Sequence, residues 1–142
     1  KRVVTARELK LTEIAGMREN IPEDMDLIAS VYLNRLRKGI ALQADPTVKF
    51  AVGNFALKRV LKAHLEIDSP YNTYKKRGLP PGPICIPSKR AIDAVLKNTT
   101  SNYLYFCASA DFSGRHKFAR SLKEHNRNAA AYQAALNRAK IR

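Results

Sequence analysis

"EDMDLIASVYLNRLRKG", residues 23–39, predicts a helix that runs from about Glu23 to Lys38. Acidic residues lie in its first turn and basic residues in its last, an order that complements the helix dipole. Gly39 then supplies a C-terminal stop. Apolar positions recur at helical spacing, and the face expected to be buried consists of Leu27, Ile28, Val31, Tyr32 and Leu36. Glu23, Asp24 and Asp26 are interpreted as a helix N-terminus.

Four more helices are predicted outward from this one, at residues 5–19, 55–65, 89–97 and 121–140. Asn54 and Ser88 are candidate N-caps, and SLKE at 121–124 is a capping box. The segment LQADPTVKFAVG, residues 42–53, is expected to be irregular or extended. The inward-facing residues expected in the last three helices are Leu57, Val60, Leu61 and Leu65, then Ala91, Ile92, Val95 and Leu96, then Leu122, Ala129, Tyr132 and Leu136.

A small sheet and a long loop complete the pattern. NYLYFCAS, residues 102–109, alternates and is rich in aromatic residues, so it predicts a strand, with RHKFA, residues 115–119, as its hairpin partner. DSPYNTYKKRGLPPGPI, residues 68–84, contains four prolines and predicts a stiff, ordered loop. Together these elements predict an α+β fold: a mainly helical single domain over residues 1–142, with a small antiparallel sheet and long ordered loops.

Charge is the strongest signal in the composition. The 142 residues carry 26 Lys+Arg against 12 Asp+Glu, a net charge of +14, which favours a polyanionic partner such as nucleic acid, an anionic membrane face or an acidic polymer. The sequence has no apolar run long enough for a membrane span, no phosphate loop and no zinc pattern, and its three histidines are scattered. No metal or cofactor is therefore expected. Cys85 and Cys107 are expected to be small apolar residues, although a disulfide between them stays open.

Polar side chains cluster in the irregular segments and near the end of the helix that precedes them. They are Asn34, Arg35, Gln43, Asp45, Tyr71, Asn72, Thr73 and Tyr74. Amide groups beside tyrosine rings suit a ligand rich in hydroxyls and amides, such as a sugar. The alternative is that these side chains tie down their own loops.

Four motifs occur in an order and spacing that resemble the C-terminal domain of the YceG-like (MltG) family, membrane-anchored endolytic murein transglycosylases of bacteria. They are ASVYLNRLRKGIALQADPTVKFAVG, SPYNTYKKRGLPPGPI, NYLYFCAS and HKFARSLKEHNRN, and the resemblance runs from about Ile28 to Asn137. It implies a glycan cleft whose substrate-binding residues are Asn34, Gln43, Asp45, Tyr71, Asn72, Tyr74 and Pro80. His116 and the EHN at residues 124–126 match a later signature of the family and are given supporting roles at that cleft.

The chemistry that the resemblance implies needs one carboxylic acid. A lytic transglycosylase cuts between N-acetylmuramic acid and N-acetylglucosamine and leaves a 1,6-anhydro end, so a single group serves as acid and then as base. The family places this acid in an IVE-E motif, but ungapped alignment puts Gly16 there. A three-residue shift puts Glu13 at that point, among apolar neighbours, and Glu19 is the alternative. The family's older label, aminodeoxychorismate lyase, implies a pyridoxal-phosphate lysine that this sequence does not suggest.

Three classes of function remain open from the sequence: a transglycosylase, a peptidoglycan-binding domain that has lost its acid, and a basic nucleic-acid-binding module. The third rests only on charge, and no recognition motif supports it, so no nucleic-acid partner is expected. The expected partners are peptidoglycan glycan strands, with cell-wall synthesis proteins as further candidates. Because the chain begins at KRVV, it is expected to be a fragment whose membrane anchor is missing and which works in the cell envelope, at the outer face of the cytoplasmic membrane.

Overall fold

The structure, a computed structural model, describes residues 22–141. Its elements, in chain order within each kind, are helices α1 Pro22–Arg37, α2 Asp45–Val52, α3 Lys62–Leu65, α4 Lys89–Lys97 and α5 Leu122–Arg138, and strands β1 Tyr105–Ala108 and β2 His116–Ala119. The predicted α+β class, mainly helical with a small antiparallel sheet, is confirmed. None of the helices between residues 22 and 141 is long and apolar enough to cross a membrane. The helix predicted at residues 5–19 lies outside the described residues.

Helix α1 lies at the centre of the core and buries the face that its periodicity predicts. Of its five predicted core residues, Ile28, Val31 and Tyr32 are buried, and Leu27 and Leu36 are half-buried. Gly39 has the left-handed φ of +69° that a helix stop requires. Its N–H donates to the carbonyl of Leu36, and the N–H of Ile40 donates to the carbonyl of Arg35, which is the Schellman pattern.

Helix α4 and the hairpin pack on α1. The predicted cap of α4 is confirmed, because Ser88 Oγ accepts the N–H of Ala91 at 3.1 Å. The predicted inward face of α4 has the buried members Ala91 and Val95 and the half-buried members Ile92 and Leu96. From the other side, the ring of Phe106 in β1 meets Tyr32 of α1 edge-on, with centroids 5.6 Å apart. The core therefore lies between α1, α4 and one face of the hairpin.

Helix α2 corrects the prediction that residues 42–53 are irregular or extended, since Asp45–Val52 is helical. Pro46 lies in the first turn, where its missing N–H is not needed, and Asp45 places a negative charge at the positive end of the helix dipole. Gly53, at φ +82°, ends the helix. A proline at this position begins a helix rather than preventing one.

The helix predicted at residues 55–65 is wrong over most of its length, because only Lys62–Leu65 is helical. Asn54 Oδ1 accepts the N–H of Ala56 at 3.0 Å, and this local turn competes with helix formation. Leu61, expected to face inward, is 49% exposed, and α3 buries none of its residues.

The hairpin and α5 form as predicted. Strands β1 and β2 pair antiparallel, with Tyr105 opposite Ala119 and Ala108 opposite His116. Ser121 Oγ accepts the N–H of Glu124 at 3.2 Å and caps α5. The stripe predicted on α5 is partly right: Leu136 is buried, Ala129 and Tyr132 are half-buried, and Leu122, at the first position of the helix, is 55% exposed. Cys85 and Cys107 form no disulfide with each other.

Candidate functional site

Two adjoining cavities form a cleft between the hairpin, α5 and the segment that carries LQADP. The larger, of about 210 Å³, is lined by Asp45 and Lys49 of α2, by residues 58–60, by residues 106–108 of β1 and by one face of α5. The smaller, of about 50 Å³, reaches from Gln43 to α1 and the start of β1. Phe106 and His125 line both cavities. The cleft is defined here as these two cavities together.

The two segments expected to form a glycan-binding wall are joined by hydrogen bonds. The N–H of Gln43 donates to the carbonyl of Thr73 at 3.2 Å, and the N–H of Ala44 donates to Thr73 Oγ1 at 2.9 Å. The Tyr74 hydroxyl donates to Asp45 Oδ1 at 2.5 Å, although 29 positions separate the two residues. LQADP and YNTY therefore form one continuous surface. Gln43 has a positive φ of 50° and an exposed side chain that lines the smaller cavity.

Two of the amides singled out from the sequence hold the backbone instead of facing the cleft. Asn72 is fully buried: its Nδ2 donates to the carbonyls of Leu65 and Ile67, both at 2.9 Å, and its Oδ1 accepts the N–H of Tyr74 at 3.0 Å. The Nδ2 of Asn34 donates to the carbonyls of Ser101 and Tyr103, both at 2.9 Å. These amides tie loops together, which is the alternative that the sequence left open.

Tyr71 and Pro80 are the other two loop residues expected to bind substrate. Tyr71 packs its ring against Phe50, with centroids 4.7 Å apart, and neither Tyr71 nor Pro80 lines the cleft cavities. Pro80 is buried. Of the residues predicted to bind substrate, the structure thus places Gln43 and Asp45 in the cleft walls, while Tyr74 positions the Asp45 carboxylate.

His116 is held by a buried carboxylate that the sequence did not single out as functional. Both side chains are 3% exposed, and Asp24 Oδ2 accepts the backbone N–H of His116 at 2.8 Å and lies 3.2 Å from its Nδ1. Arg115 NH2 lies 3.0 Å from the other oxygen of Asp24. Asp24, interpreted as a helix N-terminus, therefore also pins β2 to the start of α1. Glu13 and Glu19, the candidate acids, precede this point and lie outside the described residues.

His125 belongs to the EHN of residues 124–126, to which the resemblance gives a supporting role, and it lines both cavities of the cleft. Its ring stacks on Tyr105, with centroids 5.0 Å apart and planes 21° from parallel, and its buried Nδ1 has no hydrogen-bond partner among residues 22–141. Burial first, and then the positive charge of Arg35, lower the pKa of His125, so the neutral imidazole is favoured. The spacing of His125, Ala129 and Tyr132 places them on one face of α5, and all three line the larger cavity.

Arg35 fixes the floor of the smaller cavity. It is 4% exposed, and its guanidinium donates to the carbonyl of Ala41 from Nε and NH2 and to the carbonyl of Leu104 from NH1. The same group lies over the ring of Tyr105, 5.1 Å from its centroid. Its donors are used by the backbone, so Arg35 organises the cleft and supplies a fixed positive charge beneath it. Among residues 22–141, no group of three or more metal-ligating side chains is placed to hold a metal ion.

Comparison with known proteins gives one consistent result. The model of the YceG-like family matches residues 14–131. An endolytic murein transglycosylase of Bacillus subtilis (strain 168) is 46% identical over 114 residues, covering 80% of this chain and 31% of that protein. An enzyme of the same name from Streptococcus pneumoniae (serotype 2, strain D39) is 39% identical over 114 residues, covering 78% of this chain and 20% of that protein.

A solved structure agrees with these sequence matches. The crystal structure of a yceG-like protein from Listeria monocytogenes superposes with a TM-score of 0.75 at 43% identity, covering 82% of this chain and 38% of that one. The chain therefore spans only about a third, or less, of the length of its curated relatives.

Proposed function

The chain belongs to the YceG-like family, and on that premise we propose that it is the catalytic domain of an endolytic murein transglycosylase. It cuts peptidoglycan strands between N-acetylmuramic acid and N-acetylglucosamine and leaves a 1,6-anhydro end. The observation that carries this proposal is the 46% identity over 114 residues to a relative of that name. The family model matches residues 14–131, a range that includes both cleft walls, the hairpin and the start of α5.

The reaction requires one carboxylic acid that is protonated before it acts. The acid gives its proton to the leaving oxygen and then takes one from the 6-hydroxyl of muramic acid, which closes the anhydro ring without a water. An exposed glutamate has a pKa of about 4.3 and is ionised at neutral pH, so the acid needs a partly desolvated position. Glu13, among apolar neighbours in LTEIA, is the proposed acid, with Glu19 as the alternative.

The cleft supplies the binding surface for the glycan. Gln43 and Asp45 are held in place by the YNTY segment, so the wall loses little conformational entropy when a sugar binds. The other loop residues expected to bind substrate have an indirect role, because they hold the wall that contacts the glycan. They are Tyr71, Asn72, Tyr74 and Pro80. Asn34 and His116 position the hairpin that forms the opposite side of the cleft.

The cellular setting follows from the same premise. A murein transglycosylase meets its substrate in the cell envelope, and we place this domain at the outer face of the cytoplasmic membrane. An anchor outside this chain would hold it there, beside the proteins that synthesise the wall.

The deciding experiment is the digestion of purified glycan strands, with 1,6-anhydro ends detected by mass spectrometry. The parent is expected to produce them, and Glu13→Gln is expected to abolish them while strand binding persists, because glutamine keeps the shape but has no transferable proton. Glu19→Gln is the matched variant, and activity lost only there moves the assignment to Glu19. If the parent, tested in its full-length form, binds strands but releases no anhydro ends, the domain only binds peptidoglycan.

A further inference from the structure

The wall of the larger cavity carries an excess of positive charge. Lys49, Lys58 and Arg59 line it, and Asp45 is its one carboxylate among the residues that the structure describes. His125 adds no charge at neutral pH, because its pKa is lowered. The cavity is therefore cationic, which a ligand of neutral sugar hydroxyls and N-acetyl groups does not require.

Arg59 is the best-positioned of these cations. Its NH1 donates to Asn137 Oδ1 at 2.8 Å, which anchors the guanidinium beside the end of α5. Arg59 lines both the larger cavity of the cleft and a separate cavity of about 260 Å³ that Asn137 also lines. Within residues 22–141, neither Arg59 nor Lys58 forms an ion pair with a carboxylate. An arginine held at one nitrogen, with donors remaining at the others, is well suited to bind a carboxylate.

The size of the cavity limits what it can bind. At about 210 Å³ it is smaller than the 300–1,000 Å³ typical of pockets that enclose whole ligands. It shares the lining residues Phe106 and His125 with the smaller cavity, so a chain bound along the LQADP wall could direct a short side branch into it. Peptidoglycan has such branches, because the lactyl group of muramic acid carries a stem peptide with free carboxylates.

We infer that the larger cavity is a subsite for a stem-peptide carboxylate, bound by Arg59 with Lys58 and Lys49 beside it. This inference rests on the proposed function for the identity of the ligand. It makes the domain selective among peptidoglycan strands: strands with free stem carboxylates are preferred over strands whose stems are amidated.

The test compares two soluble muropeptides that differ at one stem carboxyl, which is free in one and a carboxamide in the other. Their dissociation constants are measured by calorimetry with the full-length protein. Charge-assisted hydrogen bonds to a carboxylate are stronger than those to a carboxamide, so the parent is expected to bind the carboxylate form roughly tenfold more tightly, which corresponds to about 1.4 kcal/mol. In Arg59→Gln this preference should fall to about twofold or less, and in Arg59→Lys it should largely return.

Lys117→Gln is the matched control, since Lys117 is an exposed lysine of β2 that does not line the cleft. It removes the same charge and should leave the preference unchanged. A preference lost equally in Lys117→Gln would show that only the overall charge acts, and no preference in the parent would overturn the subsite.

Cleavage is measured separately, so the two proposals fail in different ways. A parent that prefers the carboxylate form but produces no anhydro ends retains the subsite and loses the enzymatic function. A parent that cuts both forms equally well and binds them equally retains the enzymatic function and loses the subsite.

Discussion

Replacing Thr73 by valine tests whether a buried hydroxyl joins the two halves of the cleft wall. Thr73 is 1% exposed, and its Oγ1 accepts the N–H of Ala44 at 2.9 Å and lies 2.8 Å from Thr47 Oγ1. Thr47 Oγ1 also lies 2.7 Å from the carbonyl of Ala44, to which it donates. The hydroxyl proton of Thr47 is therefore engaged by that carbonyl, so the Thr73 hydroxyl donates the hydrogen bond between the two threonines.

The expected cost follows from what valine leaves unpaired. Valine has nearly the shape of threonine, so no cavity forms, but the N–H of the fully buried Ala44 loses its acceptor. A buried donor without a partner costs about 1–3 kcal/mol, and losing the bond to Thr47 adds about 0.5–1 kcal/mol. We expect Thr73→Val to lower the free energy of unfolding by about 2–3 kcal/mol, a large share of the roughly 5–15 kcal/mol typical of a domain.

Urea denaturation followed by circular dichroism measures this change. With a slope of about 2 kcal/mol per molar urea, the midpoint should fall by roughly 1–1.5 M. Thr73→Ser is the first control: it keeps the hydroxyl and removes one methyl group, which costs about 1 kcal/mol.

Thr47→Val is the second control. The carbonyl of Ala44 keeps the backbone N–H of Thr47 at 3.0 Å, but the buried Thr73 hydroxyl loses its acceptor, so the loss should be about 1–3 kcal/mol. If Thr73→Val is no more destabilising than Thr73→Ser, the hydroxyl does not hold the wall, and the interpretation of LQADP and YNTY as one rigid surface is refuted.

Three other changes have defined outcomes. Asp24→Asn removes the buried negative charge beside His116 and should cost about 2–4 kcal/mol in urea denaturation; a change under 1 kcal/mol would contradict the pinning role. Gly82→Ala places a Cβ 2.7 Å from the hydroxyl oxygen of Tyr71 and should lower the free energy of unfolding by about 1 kcal/mol. Combining it with Tyr71→Phe should recover that loss, and additive losses in the double variant would show that the hydroxyl is not the obstacle. Because the folded-state pKa of His125 is lowered, the unfolded chain takes up the proton first, and stability should fall as the pH drops below about 6.5. His125→Gln should flatten that dependence in denaturation series from pH 7.5 to 5, and an unchanged dependence would show that His125 is not its source.

Local signals in the sequence were sufficient for the regular elements. The acid-to-base order and Gly39 predicted the limits of α1, Ser88 and Ser121 predicted the starts of α4 and α5, and the aromatic alternation predicted β1. Each of these signals works over a few residues, because caps, dipoles and periodicity are properties of one segment. The errors at residues 42–53 and 55–65 arose where a proline or an Asn can either begin a helix or form a turn.

The sequence also predicted that LQADP and YNTY belong to one wall, through the resemblance of their motifs to a family. It could not show which side chains on that wall face the ligand. Asn72 has the same amide as a sugar-binding residue, but its partners are the carbonyls of Leu65 and Ile67. The acid itself, Glu13 or Glu19, stays a prediction because both residues lie outside the described part of the chain.

Only the tertiary structure decided the partners of polar groups that are distant in sequence. Asp24 meets His116 from 92 positions away, and His125 of α5 lies where two cavities join beside Phe106 of the hairpin. A polar side chain can satisfy its hydrogen bonds with its own loop, with a distant segment or with a ligand. The residue type is the same in all three cases, and burial against the rest of the chain determines which of them occurs.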